Sequence, residues 1–269
     1  MMSLPELCAL LERAQASQNI AIARALAVHD PATGATAREL PGAIEVFFGE
    51  GHPLNQGLAL GLGGALDDAT LDDLETSLGR GGHPVVVELT PGADADLGRR
   101  LARRGYYIRQ FQSVWMRELD RLAEPAPRGP FVVRAAARGE ATLFARLVMA
   151  GFTDQDALPP DGAPLFLPPV EAAGTTAFIA WHGTDPVAGG TMGLAGDVAA
   201  LSGAAVLPAF RGRGLQRALI EARLAAAREG GARLAVSATV PASASAENLV
   251  RAGFRPAYPK VEMANRDAS

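Results

Sequence analysis

Cysteine is nearly absent: Cys8 is the single one in 269 residues. That excludes an intrachain disulfide and a zinc site built on cysteine. Histidine is almost as scarce, and His29, His52, His83 and His182 are scattered with no pair at i, i+4. The spacing that presents two imidazoles to one metal is missing, so no metal site is expected. A basic excess is missing too. Lys and Arg number 25 against 29 Asp and Glu, for a net charge of −4, the wrong sign for a protein that coats nucleic acid. No apolar run approaches the ~18–20 residues that span a bilayer. Met1 to Asn19 lacks a basic start followed by an apolar signal core. The sequence therefore reads as cytoplasmic, without a membrane or nucleic-acid partner. Gly-x-Ser-x-Gly and Gly-x-x-x-x-Gly-Lys-Ser/Thr are absent, which removes the serine-hydrolase elbow and the P-loop.

What the chain does have is apolar bulk. Hydrophobic residues make up 48% and charged residues 20%, enough for one large core or two modest ones. The breakers in Glu124-Pro125-Ala126-Pro127-Arg128-Gly129-Pro130 suit a semi-rigid linker. They divide the chain into 1–123, a linker at 124–130, and 131–269. The halves resemble each other. Gly82 and Gly231 each close a Gly-Gly pair before a short apolar run, and they stand 149 residues apart. Gly105-Tyr106 and Gly253-Phe254 are 148 apart, and Val114 with Met116 lies 147 before Val261 with Met263. One-residue slips are what loop drift leaves between duplicated units, so the chain reads as an internal repeat.

In the second half, periodicity predicts strands over 131–134, 176–181, 187–193, 197–207, 234–239 and 257–263. It predicts helices over 140–150, 215–228 and 243–251, and a long Pro-rich loop over 151–170. The informative stretch is Val206-Leu207-Pro208-Ala209-Phe210-Arg211-Gly212-Arg213-Gly214-Leu215-Gln216. A strand ends at Val206-Leu207, because Pro208 has no N–H for the ladder. A glycine-rich turn then opens an amphipathic helix carrying Leu215 and Leu219. Unpaired backbone N–H groups and a positive helix end meet there, which suits a pyrophosphate. Gly212 and Gly214 let the backbone approach it, and Arg211 and Arg213 add charged donors. As a dinucleotide fingerprint the stretch is poor, since Arg217 stands where a third glycine belongs.

This stretch resembles the acetyl-CoA signature of the GNAT N-acetyltransferases, Arg/Gln-x-x-Gly-x-Gly/Ala after a Val-x-Pro strand end. The order strand, signature, helix, strand, helix, Gly-Phe, strand is similar as well. The resemblance runs from Phe131 to Ala264. It implies an α/β (α+β) fold, with a mixed, mostly antiparallel sheet flanked by helices on both faces, here duplicated. It further implies that Val206, Leu207, Arg211, Gly212, Arg213, Gly214, Leu215, Gln216 and Asn248 hold acetyl-CoA as co-substrate. A deprotonated amine, of a small molecule or a peptide, would attack the thioester, in a monomer or a homodimer. Opposite the signature the first half offers Leu60-Gly61-Leu62-Gly63-Gly64, with Leu62 matched to Arg211. It reads as a degenerate unit packed on the second half, which is expected to keep the cofactor site on its own.

Two departures bear on chemistry. Gln216 stands where the family has Gly or Ala, and Leu249 where many members carry a tyrosine that protonates the leaving thiolate. The strand before the signature has no carboxylate, and its Ser202 offers only a hydroxyl to orient water. Asp154, Asp156 and Glu171 read as solvated loop charges and Tyr258 as a packed strand residue, so no catalytic base is assigned. Pro53-Leu54-Asn55-Gln56, with Phe152, Phe166 and Leu167 of the long loop, are candidates for an acceptor pocket. Two other readings stay open: a non-catalytic acyl-CoA-binding or regulatory protein, and a nucleotide-binding oxidoreductase.

Overall fold

Ser3-Leu4-Pro5-Glu6 starts the chain's longest helix with a reciprocal cap. The Ser3 side chain accepts from the Glu6 N–H, and the Glu6 carboxylate accepts from the Ser3 N–H at 2.7 Å. Pro5 sits in the first turn, where its missing N–H costs nothing. The helix, α1 (Leu4–His29), lays Cys8, Leu11, Ala16, Ile20, Ala23 and Leu26 against the sheet. Residues 2–120, 130–159 and 170–265 are described here, from a computed structural model. Most of the expected linker, with Phe166 and Leu167, lies outside them.

The remaining elements follow the alternation of apolar runs and Gly/Pro breakers. The first half supplies β1 (Thr36–Leu40), β2 (Ala43–Phe47), β3 (Gln56–Leu58), α2 (Asp68–Leu78), β4 (Val86–Leu89), α3 (Leu97–Arg103) and β5 (Tyr107–Glu118). The second supplies β6 (Phe131–Ala135), α4 (Ala141–Phe152), β7 (Thr175–His182), β8 (Asp185–Ala195), β9 (Val198–Val206), α5 (Leu215–Glu229), β10 (Leu234–Thr239), α6 (Ala244–Arg251) and β11 (Arg255–Ala264). Each strand and helix expected in the second half is present within about two residues. Gly151 and Phe152, expected in the loop, instead close α4.

The eleven strands among the described residues form one sheet in the order β1-β2-β3-β4-β11-β5-β10-β9-β8-β7-β6. Neighbours are antiparallel except for β3 beside β4 and β9 beside β10, which are parallel. Those two pairs hold the same place in the element order of each half, strand, helix, strand, helix, strand. Helices α2, α3, α5 and α6 cover one face, and α1 and α4 the other.

The order corrects one expectation, that the first half merely packs on the second. The last strand of each half lies in the other half's part of the sheet. Strand β5 pairs with β10 along Glu118–Ser113, and β11 pairs with β4 along Val261–Ala264. The two exchanged strands also pair with each other. An isolated second half would leave the whole of β10 with a bare edge and β11 with no partner on either side. We therefore expect residues 131–269 alone to lack a cooperative thermal transition by circular dichroism. Co-expression with 1–123 should restore it. A cooperative melt of 131–269 alone would mean that β5 is dispensable.

Candidate active site

The site begins where two neighbouring strands part. Strands β9 and β10 pair only at Val198–Ala200 against Leu234–Val236. Beyond that, β10 stays with β5 to Thr239 and β9 stays with β8 to Val206. The last tie across the gap is the Ser237 hydroxyl, which donates to the Leu201 carbonyl at 2.9 Å. On β9 the register with β8 slips between the Gly189–Ala205 and Thr191–Ser202 pairs, and Gly203 there takes φ +57°. This is a bulge, which leaves an extra residue out of the ladder at the mouth of the gap.

Beside the gap lies a groove lined by Ala204, Val206, Arg211, Gly212, Gly214, Leu215, Gln216, Ser245, Asn248 and Arg251, among others. Gly214 is the N-cap of α5, at φ +84°, and no side chain caps the helix. Its first-turn N–H groups therefore face the groove without a side-chain partner. Seven of the nine residues expected at a cofactor line this groove: Val206, Arg211, Gly212, Gly214, Leu215, Gln216 and Asn248. Two do not. Strand alternation turns Leu207 away, and it is buried in the core against α4. Arg213 is not in the lining, and its guanidinium sits over the Phe210 ring, 5.1 Å from the centroid.

Arg211 acts as a strut. Its Nη1 donates to Asp154 Oδ1 at 2.6 Å, Nη2 to the Gly151 carbonyl at 2.8 Å, and Nε to the Val206 carbonyl at 3.1 Å. Asp156 Oδ1 accepts from the Ala209 N–H at 2.7 Å. The two loop aspartates thus brace the signature turn, while Glu171 faces His29 at 3.9 Å.

Through the gap the groove adjoins a second cavity of about 320 Å³. The two share Phe152, Ala204, Gln216 and Ser245. This inner cavity reaches α1 on the opposite face, so the opening passes through the sheet. Its lining includes Glu12, Gln15, Gln18 and Asn19 of α1, with Gln56, Glu88, Gln112 and Lys260 from the central strands. Lys260 Nζ donates to Glu12 Oε2 at 3.0 Å and to Glu88 Oε2 at 2.6 Å, and the Tyr258 hydroxyl donates to Glu12 Oε1 at 2.9 Å. Burial pushes the Glu12 carboxyl above the ordinary range against the pull of Lys260. Burial also opposes the Lys260 charge, but Glu88 and Glu12 outweigh it and hold the ammonium protonated. Tyr258 is raised by burial and by Glu12, so it stays a neutral donor.

Of the residues expected at an acceptor pocket, Gln56 and Phe152 line this cavity; sequence reasoning missed α1 entirely. Asn55, grouped with Gln56 in the sequence, instead ties its own loop through Phe48 N and Gly49 O. The missed signal was present: Glu12, Gln15 and Asn19 interrupt the stripe on which Cys8, Leu11 and Ala16 are buried. Leu249 is buried and lines the inner cavity, so no phenol stands there; Ser245, one turn earlier, lines both spaces.

The first half keeps the twin-glycine turn without the open helix end. Gly61 and Gly63, at φ +69° and +82°, match Gly212 and Gly214 at +73° and +84°. The counterpart of Arg211 is therefore Leu60, not Leu62. Asp67 caps α2 by accepting from the Thr70 N–H at 2.8 Å, and Asp68 follows. Carboxylates sit where an anion would have to bind.

Residues 104–254, more than half of the chain, match the acetyltransferase (GNAT) family model, and the chain belongs to that family. Its fold is similar to a GCN5-related N-acetyltransferase from Kribbella flavida, 19% identical over 97% of this chain and 96% of that one, with a TM-score of 0.66. A tandem GNAT protein from the clavulanic acid biosynthesis pathway is 14% identical over 84% of this chain and 79% of its own, at 0.59. A GCN5-related N-acetyltransferase from Sphaerobacter thermophilus is 14% identical over 94% and 95%, at 0.55. No curated protein matches the chain. Among the described residues no group of His, Cys, Asp and Glu could hold a metal, and no helix is long and apolar enough to cross a membrane.

An added Cβ at Gly214 meets nothing within 4 Å, so substitution there is opposed by its left-handed backbone alone. Gly214→Val should lower stability by about 1–2 kcal/mol, and Gly214→Asn by less, because asparagine tolerates that region. Urea denaturation measures both. Equal stability of the two variants would mean that the turn relaxes freely.

Proposed function

We propose that the chain transfers an acetyl group from acetyl-CoA to an amine. The observation that carries this reading is the uncapped start of α5, set in a groove that runs into a gap between two parallel strands. The pyrophosphate would lie against the N–H groups of residues 214–217, where the helix dipole favours an anion. The extended pantetheine would enter the gap along β9 and use backbone groups that β10 leaves unpaired there. The bulge at Gly203 offers a backbone N–H toward the thioester oxygen, whose charge grows as the amine attacks. Asn248 would reach the pantetheine amides, and the Ser245 hydroxyl the departing sulfur.

A second reading has one observation in its favour. Leu249 fills the place of a phenolic acid, which suits an acyl-CoA-binding protein without turnover. Release of CoA thiol in the presence of amines separates the two readings.

Acetyl-CoA should bind once per chain, because α2, which stands in the first half where α5 stands in the second, starts on the Asp67 cap. By mass action, about 100 Kd of free ligand stabilises the fold by about 2.7 kcal/mol. Gly214→Asn, checked for folding by circular dichroism, should weaken binding at least tenfold by setting a side chain against the anion. Titration calorimetry with CoA measures both affinity and stoichiometry. Absence of both heat and thermal shift would overturn the proposal, and two equivalents per chain would overturn the assignment of the site to the second half alone.

A further inference from the structure

The inner cavity has a chemistry of its own. At its α1 side, two carboxylates, Glu12 and Glu88, share the single ammonium of Lys260. Glu12 is 2% exposed, Lys260 3% and Glu88 7%. With all three ionised the cluster carries one uncompensated negative charge next to open space. Arg223 is the other charged residue of the lining, on the α5 side. It spends its guanidinium on the carbonyls of Leu219, Thr191 and Ser202. Between these ends the wall is amide-rich. Asn19, Gln56, Gln112 and Gln216 line the cavity without a side-chain hydrogen bond among the described residues. Amides facing a cavity unpaired offer both donors and acceptors, as hydroxyl groups require.

We propose that this cavity is the acceptor site, and that it selects a small hydroxyl-bearing amine in its cationic form, with the charge answered by Glu12 and Glu88. The inference rests on the acetyl-CoA reading above, since it takes the groove for the cofactor and the inner cavity for its co-substrate. A volume of about 320 Å³ lies at the small end for ligand pockets, which limits the acceptor to a compact molecule. Lys260 and Tyr258 are positioning residues: they hold the carboxylates in place and need not touch the acceptor. Burial pushes the Glu12 carboxyl up, and neighbouring Glu88 adds to this against the pull of Lys260, so a bound cation would favour its ionised form.

The test uses the full chain saturated with CoA and three amines: ethanolamine, serinol and glucosamine. Each is titrated by calorimetry beside its neutral N-acetyl form. At least one amine should bind ten or more times tighter than its N-acetyl form. Glu12→Gln and Glu88→Gln, which keep the shape of the cluster, should each erase that preference while CoA affinity stays within twofold of the wild type. Preference for no amine, or a preference that survives both substitutions, would overturn the proposal. Failure of CoA itself to bind would strike the cofactor reading instead, so the two outcomes are distinct. Where an amine turns over, Glu12→Gln should raise its KM more than it lowers kcat; the reverse pattern would overturn the assignment of Glu12 to acceptor binding.

Discussion

The parting of β9 from β10 is the constraint on which the rest of the site depends. A sheet interior normally satisfies every backbone N–H and carbonyl, and an unpaired one there costs as much as a lost hydrogen bond. Here two inner strands leave each other after three paired residues, each held fast by its outer neighbour. The gap is therefore stable without closing. It joins the groove at the α5 helix start to a cavity on the opposite face, so a ligand arm reaching through the sheet would meet a partner approaching from the other side.

Helix α1 gives that second face its character. It crosses from β1 and β2 of the first half to β8 and β9 of the second, and it is tied there by hydrogen bonds among Gln18, Thr191 and Ser202. The half without an open anion site thus supplies much of the inner cavity's wall. Its counterpart turn keeps the glycines, but a Cβ at Gly63 would run into the Arg13 guanidinium of α1. The second half holds the open start of α5, and the first half supplies wall and support.

Much of this was legible in the sequence where the determinants are local. Pro208, the two glycines and the Leu215–Leu219 stripe fix a strand end, a turn and a helix start within a dozen residues, and the groove is built from that stretch. The orientation of Arg211 was not legible, since its partner Asp154 is 57 residues away and reads as a loop charge. The Glu12–Lys260 contact spans 248 residues, and no periodicity carries a pairing over such a distance. Strand exchange was hidden for a related reason. The repeat showed that β5 and β11 are equivalent, but equivalent strands fit either position in a duplicated sheet, so the pattern could not say which half each would join.

That exchange sets an order of events for the chain as it is made. Strand β4 waits for β11, and every other strand of the second half is made before that partner. Neither half can finish its sheet while the other is incomplete, so the molecule cannot fold by closing one unit and then the next. Contacts of such long sequence separation slow folding and leave strand edges exposed in the meantime. Until β11 is in place, the edge of β4 is a template for any passing strand. With its last strands exchanged, each half depends on the other, and the two fold or fail as a single unit.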